Sequence, residues 1–233
     1  MQKIFLLFFV SLAFSSCSQQ PQYGKNPLLL DQFNFKLDVG SFYKDESIFR
    51  GKSDFSVSAS EISYAYKDHQ TTFIQYATRS MSQDRILAKY GAMNFESLGM
   101  VTDSADEKVL LVSAGTDYAT AAQVEELLKK LQKAYGQATL STTSSVHLEQ
   151  VRIRFQAEGK VIKLTLDDIG TQIVDSEEQA PDPLPFGAKY EAKVVDAIRK
   201  KKDGIHVMLF VVTPMFDEVL QEARSFTGDL TRY

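Results

Sequence analysis

The stretch TAAQVEELLKKLQKAYG, Thr120–Gly136, followed by VRIRF at Val151–Phe155 and VIKLTL at Val161–Leu166, decides the fold class. In the first segment Val124, Leu127, Leu128, Leu131, Ala134 and Tyr135 fall on one stripe at i, i+3, i+4, i+7 spacing, the pattern of a helix that buries one face. Thr120 and Gln123 have the spacing of a capping box. Glu125 with Lys129 and Glu126 with Lys130 are favourable i, i+4 pairs, and Gly136 suits a left-handed stop. The other two segments alternate apolar and polar residues around Glu158-Gly159, which reads as a strand hairpin. The class expected is therefore α+β: antiparallel sheets built from hairpins and packed with a few helices, the strongest of them at about 120–135.

Upstream, Lys108–Ala114 is an apolar run that reads as a buried strand ended by Gly115. Gly115-Thr116-Asp117 has the shape of an anion-binding turn, although a plain loop and cap explain it more simply. Ser82–Gly91 reads as a short helix with Ser82 as cap, Asp84 near its start and Gly91 as its stop. Glu61–Tyr66 and Thr71–Thr78 form a hairpin candidate around the polar Lys67–Gln70. Phe33, Phe35, Leu37 and Val39 alternate with polar residues, the period of a half-buried strand that Gly40 ends. A strand, a capped helix and Tyr-Gly occur at Phe73 to Gly91 and again at Val109 to Gly136, which raises an internal duplication as one reading.

Downstream, Asp175–Pro185 is an acidic, proline-rich loop and the best place for a boundary. It separates a main α+β domain, 28–174, from a C-terminal α+β segment, 186–233, read as part of the same fold. Lys189–Lys202 fits either a helix or a strand. Asp203-Gly204, a strong hairpin signal, favours the strand, turning into Ile205–Val212. Thr213 as cap and Pro214 at the first helical position then open a helix to Ala223.

The first residues speak to location. Met1–Cys17 carries Lys3, an apolar run over Ile4–Phe14, then Ser15, Ser16 and the single cysteine of the chain. That is the layout of a secretory signal, and it is shorter than the roughly 20 residues that a permanent membrane helix needs. Phe14-Ser15-Ser16-Cys17 resembles the lipobox of bacterial lipoproteins, with Phe14 and Ser16 where the common form has Leu and Gly or Ala. The resemblance implies that residues 1–16 are removed and that Cys17 carries a covalent lipid. The alternative is an ordinary signal cut nearby, which leaves Cys17 as a spare thiol with no cysteine to pair with. Two or three acyl chains hold a protein on a bilayer essentially permanently, at about 0.8 kcal/mol per buried methylene. Residues 17–27 are polar, contain Pro21 and Pro27 and lack any period, so they read as a tether. With no Asp after Cys17, the sorting rule for such proteins points to the outer membrane, facing the periplasm.

Composition narrows the function. Hydrophobic residues at 44% and charged residues at 24% are those of a chain with a real core, and a net charge of −4 gives no footprint for nucleic acid. With one cysteine no internal disulfide can form, and 16 Phe and 10 Tyr replace the absent Trp as large core side chains. His69, His147 and His206 have no metal-ligand spacing, and neither a nucleophile elbow nor a phosphate-binding glycine loop occurs, so no metal or cofactor is expected. Asp167-Asp168, at a strand end, is the one candidate acidic site; two close carboxylates can share a proton or bind calcium, although a solvated acidic face explains them more simply. Arg199-Lys200-Lys201-Lys202 could meet anionic headgroups, and Tyr64, Tyr66 and Tyr76 could line one sheet face for stacking, but a solvated helix end and a packed core explain these more simply.

The function expected from all this is a non-catalytic binding or adaptor module of the cell envelope. It would be held to the membrane through Cys17, with a protein partner in the envelope. An envelope hydrolase using Asp167 and Asp168, and a membrane-tethered inhibitor or immunity-type protein, stay open as alternatives.

Overall fold

The computed structural model describes residues 21–44, 57–78, 86–145, 148–169, 183–223 and 225–233. The readings placed on residues 1–20 (Cys17 among them), on Ser82 and Asp84, on His147 and on 175–182 lie outside the described residues.

In chain order the elements are β1 (Leu28–Leu29), α1 (Val39–Phe42), β2 (Val57–Tyr66), β3 (His69–Thr78), β4 (Ala88–Tyr90), β5 (Met93–Phe95), β6 (Ser97–Asp103), β7 (Val109–Ala119) and α2 (Ala121–Tyr135). There follow β8 (Ala138–Ser145), β9 (Leu148–Ala157), β10 (Lys160–Asp167), β11 (Leu184–Pro185), α3 (Ala188–Lys201), β12 (Ile205–Val212), α4 (Pro214–Glu222) and a 3-10 turn, Gly228–Arg232. Among the described residues, nine strands form one antiparallel sheet in the order β11-β8-β9-β10-β12-β7-β6-β3-β2, and β1, β4 and β5 form a small second sheet. The class is α+β, with a large antiparallel sheet, a small mixed sheet in which β1 runs parallel to β4, and few helices.

Period-two alternation gives the large sheet two different faces. Val151, Ile153 and Phe155 of β9, Ile162, Leu164 and Leu166 of β10, and Val207, Leu209 and Val211 of β12 join the core under α2, α3 and the small sheet. On the other face Phe210, Val212, Leu111 and Phe73 pack under Phe216, Val219 and Leu220 of α4 and under Leu230 and Tyr233. The hairpin registers follow from tight turns. Tyr66 pairs with His69 across Lys67-Asp68, both in left-handed backbone, and Ala157 pairs with Lys160 across Glu158-Gly159.

Helix α2 is built as its sequence predicts. Thr120 caps the Gln123 amide while the Gln123 side chain returns to the Thr120 amide, and Val124, Leu127, Leu128 and Leu131 are buried. At the C-terminal end, Thr213 caps the Phe216 amide and Pro214 opens α4.

Four expectations are corrected. Lys189–Lys202 is helical, as α3, because Val194 and Ile198 are fully buried one turn apart and Tyr190 packs on the same core. The left-handed backbone of Lys202 and Gly204 ends that helix instead of turning a hairpin. Residues 88–91 are not the end of a helix. Ala88 and Tyr90, then Met93 and Phe95, are buried at period two on either side of a turn with Gly91 in left-handed backbone, and Tyr90 pairs with Met93. With residues 88–91 in a hairpin, the proposed internal echo loses the helix end at Tyr90-Gly91 in its first copy. Phe33–Val39 is not a strand, because positive φ at Phe35 breaks the alternation and Asp38 instead caps α1 by accepting from the Ser41 amide. Gly115-Thr116-Asp117 is no turn either; it lies within β7.

Candidate functional site

The α4 face of the sheet is apolar only where α4 and the chain end cover it. Towards β8, β9 and β10 the outward residues are polar: Thr139 and Ser141, then Gln150, Arg152 and Arg154, then Lys163, Thr165 and Asp167. Directly paired residues in an antiparallel sheet share a face, so the registers place these side chains in rows.

One row crosses four strands. Gln150 of β9 pairs with Asp167 of β10 in the register, and its Nε2 donates to Asp167 Oδ1 over 2.9 Å. His206 of β12 comes next, with Nδ1 at 2.9 Å from Asp167 Oδ2 and Nε2 at 3.2 Å from Oδ1 of Asp117 in β7. The Nδ1 approach is an ion-pair distance without hydrogen-bond alignment. Arg232 Nε donates to Asp167 Oδ2 over 2.9 Å, and Arg152 Nη2 donates to Gln150 Oε1 over 2.7 Å. The β12–β7 register shifts between Ile205 and Val207, and this irregularity sits where His206 faces Asp117.

Asp167 is 3% exposed. Burial works to raise its carboxyl. The contact and charge of His206, with Gln150 and Arg232, outweigh that and hold it below the usual carboxylate range.

Two strand positions away a second cluster forms around Asp217 of α4. Its Oδ2 accepts from Arg154 Nη2 and from Gln221 Nε2, each over 2.7 Å, and its Oδ1 accepts from the Tyr233 hydroxyl. Burial and Asp217 push the Tyr233 hydroxyl well above the usual phenol range. Lys163 Nζ stands 3.8 Å from the Tyr233 ring centre, a cation–π contact. Burial, then Arg152 and Arg154 against the opposing pull of Asp217, bring the Lys163 ammonium down to about 7.

The chain end is tied to this face by side chains. Ser113 Oγ donates to Asp229 Oδ2 over 2.7 Å, Thr165 Oγ1 donates to the Arg232 carbonyl over 3.0 Å, and Thr227 Oγ1 donates to Gln75 Oε1 over 3.2 Å.

Of the residues singled out from sequence, Asp167 is the centre of the row. Asp168, exposed and in left-handed backbone at the end of β10, is not among its partners. The basic run at 199–202 closes α3: Arg199 makes two 2.7 Å bonds to Glu125 of α2, and Lys200 pairs with Asp196. The three tyrosines do not share a face. Tyr64 packs on Phe73 and Phe226 on the α4 side, whereas Tyr76 stacks on Tyr43 on the opposite side. Arg152, Arg154, Lys163, His206 and Asp217 were not linked by the sequence reading. The Glu158-Gly159 turn already fixes Arg154 opposite Lys163, so that pair was legible; the rest required the strand order.

A cleft of about 580 Å³, lined by Glu61, Thr72, Ile74, Tyr76, Ser104 and Glu107, opens elsewhere, on the β2–β3 edge. Among the described residues, no group of three or more His, Cys, Asp or Glu side chains could hold a metal ion, and no helix is long and apolar enough to cross a membrane. No protein-family model matches the chain, nor does any curated protein or any solved structure.

Proposed function

We propose that this chain is a lipid-anchored protein of the bacterial cell envelope whose domain binds a ligand or partner without transforming it, and that the polar half of the α4 face is the binding surface. The observation that carries the reading is how Asp167 is used. Hydrolysis by a carboxylate pair needs one acid whose proton is held near neutral pH, by burial or by a neighbouring carboxylate. Asp167 is instead surrounded by cations and donors that favour its ionised form, as befits a residue that holds other side chains in place. Asp167 holds the buried Gln150, the mostly buried His206 and the partly exposed Arg232 in place beneath the polar face, and a preformed polar surface lowers the ordering cost of binding.

The anchor is tested by metabolic labelling with an alkyne fatty acid: the native chain takes up label and Cys17→Ala does not. Label that persists in the variant removes the anchor from the proposal. Binding is tested by a photocrosslinking residue placed at Thr143, on the exposed rim of the polar face, and separately at Lys129 on α2. A defined product from position 143 alone supports the surface. Turnover of envelope ester, peptide or glycan substrates that Asp167→Asn abolishes would make the chain a hydrolase.

A further inference from the structure

We propose that Arg152, Arg154 and Lys163, with the hydroxyls of Thr139 and Ser141, form a site for a phosphoryl oxyanion; this rests on the reading of the polar face as a binding surface. The registers place the five residues on one face. Arg154 is paired with Lys163 on one side and with Thr139 on the other, and Arg152 is paired with Ser141. All five are half-buried, open to solvent yet held by their neighbours.

Three cations so close oppose one another, and like charges directly across a strand pair are destabilising. Among the described residues Asp217 is the one carboxylate bonded to the cluster, through Arg154, and it is also occupied by Gln221 and the Tyr233 hydroxyl. Among the described residues the only other carboxylate charge acting on these cations is that of Asp167 near Arg152, and Asp167 is itself held by Arg232 and His206. A second mark of incompleteness lies in the arginines. The Nε of Arg152 and the Nε of Arg154 are both buried without an acceptor, where a buried donor normally has one. Small rotations of two guanidinium groups towards a shared acceptor would satisfy both.

The donor set selects the ligand chemistry. Two planar guanidinium forks suit oxyanions, and a phosphoryl group offers several strong acceptor oxygens to donors arriving from three adjacent strands. An ammonium suppressed by burial and then by neighbouring cations also gains from an arriving dianion, which agrees with the depressed value of Lys163.

The group could arrive as a free phosphate or as a phospholipid headgroup, and two probes separate the sources. Inorganic phosphate is titrated into the full chain at constant ionic strength, following the backbone amide signals of β9 and β10 by NMR. The full chain carrying Cys17→Ala, which has no acyl anchor, is also floated with vesicles of phosphatidylcholine carrying phosphatidic acid, against phosphatidylcholine alone. Saturable phosphate binding is expected, weakened about tenfold or more in Arg152→Gln and in Lys163→Met, since each removes a charge-assisted contact. Retention on phosphatidic acid vesicles, lost in the same variants, without saturation by free phosphate, also supports the site and assigns it to a headgroup. A wild-type chain that answers to neither probe, or variants that remain folded by circular dichroism and bind as the wild type does, overturns it. Should position 143 still yield a defined crosslinked partner in that case, the binding surface stands and the phosphoryl site alone fails.

Discussion

A carboxylate as enclosed as that of Asp167 persists in ionised form only when its surroundings return what burial removes. Here a cation, an imidazole and an amide do so from three different elements. Asp167→Asn keeps the volume but leaves Arg232 and His206 facing a neutral amide, and the expected cost is about 2 kcal/mol in urea unfolding, reduced by the solvent access of Arg232. Because the folded value lies below the unfolded one, this carboxylate contributes fully above the ordinary Asp value of about 3.9. That contribution is lost as pH falls through the lower folded value. Wild type should therefore lose stability more steeply than Asp167→Asn below about pH 4, and parallel acid curves would show that the network is not linked to protons. Lys163 has the opposite sign. Its folded value of about 7 lies below that of the free side chain, so the unfolded chain holds the proton from there upward and the penalty of burying the charge eases as pH rises. The groups facing it are Arg152 and Arg154 from β9, Asp217 from α4 and the Tyr233 ring. Lys163→Met is expected to be more stable than wild type at pH 6, with the difference shrinking towards pH 10. A constant difference across that range would contradict the shift.

At the scale of elements, caps and close approaches carry the order. Thr120→Ala removes the capping box of α2 and should cost about 1 kcal/mol in urea unfolding, whereas an unchanged midpoint would mean that Gln123 and the Lys202 carbonyl, which accepts from the Ala121 amide, suffice. Gly99 is more demanding. A Cβ there would lie 2.4 Å from Ser113 Oγ and 2.6 Å from Asp229 Oδ2, the two atoms whose bond ties the 3-10 turn to β7. Gly99→Ala should cost about 1–3 kcal/mol and accelerate amide exchange at residues 228–233 ahead of the rest of the chain. Exchange that rises equally everywhere would place the damage in the sheet instead. The α2–α3 contact is less consequential: the Arg199–Glu125 pair is mostly exposed on the arginine side, and a double-mutant cycle should return under about 1 kcal/mol.

The whole molecule is organised about the β7–β12 pair. β2, β3, β6 and β7 form one antiparallel run and β8, β9, β10 and β12 another, and the two meet where β12 lies against β7. The C-terminal residues 205–212 thus fill the middle of the sheet, buried on both faces, rather than adding to its edge. Because both halves depend on that strand, amides of β7, β10 and β12 should exchange together with the highest protection, and β2 and β11 at the sheet edges earlier. Two separate exchange classes, one per run of four strands, would indicate that the halves unfold independently.

What the sequence determined by itself was local. Helix α2 carries its cap, its stripe and its stop within seventeen residues, and the two-residue turn at Glu158-Gly159 sets the register of its own hairpin, whereas the turn expected at Lys67–Gln70 is tightened by the structure to Lys67-Asp68. The signal-like start and Cys17, on which the envelope reading rests, are likewise features of sequence alone. Tertiary structure decided what short patterns leave open. Lys189–Lys202 is a helix because Val194 and Ile198 find a core beneath α2 and α3, and residues 88–95 form a hairpin because β1 pairs with one arm. The β9–β10 hairpin already sets Gln150 opposite Asp167, but Asp117, His206 and Arg232 join that pair only because β12 is inserted between β10 and β7. A turn is fixed by the few torsions of its own residues, whereas the order of strands in a sheet is fixed by which surfaces must be buried together, and that is a property of the entire chain.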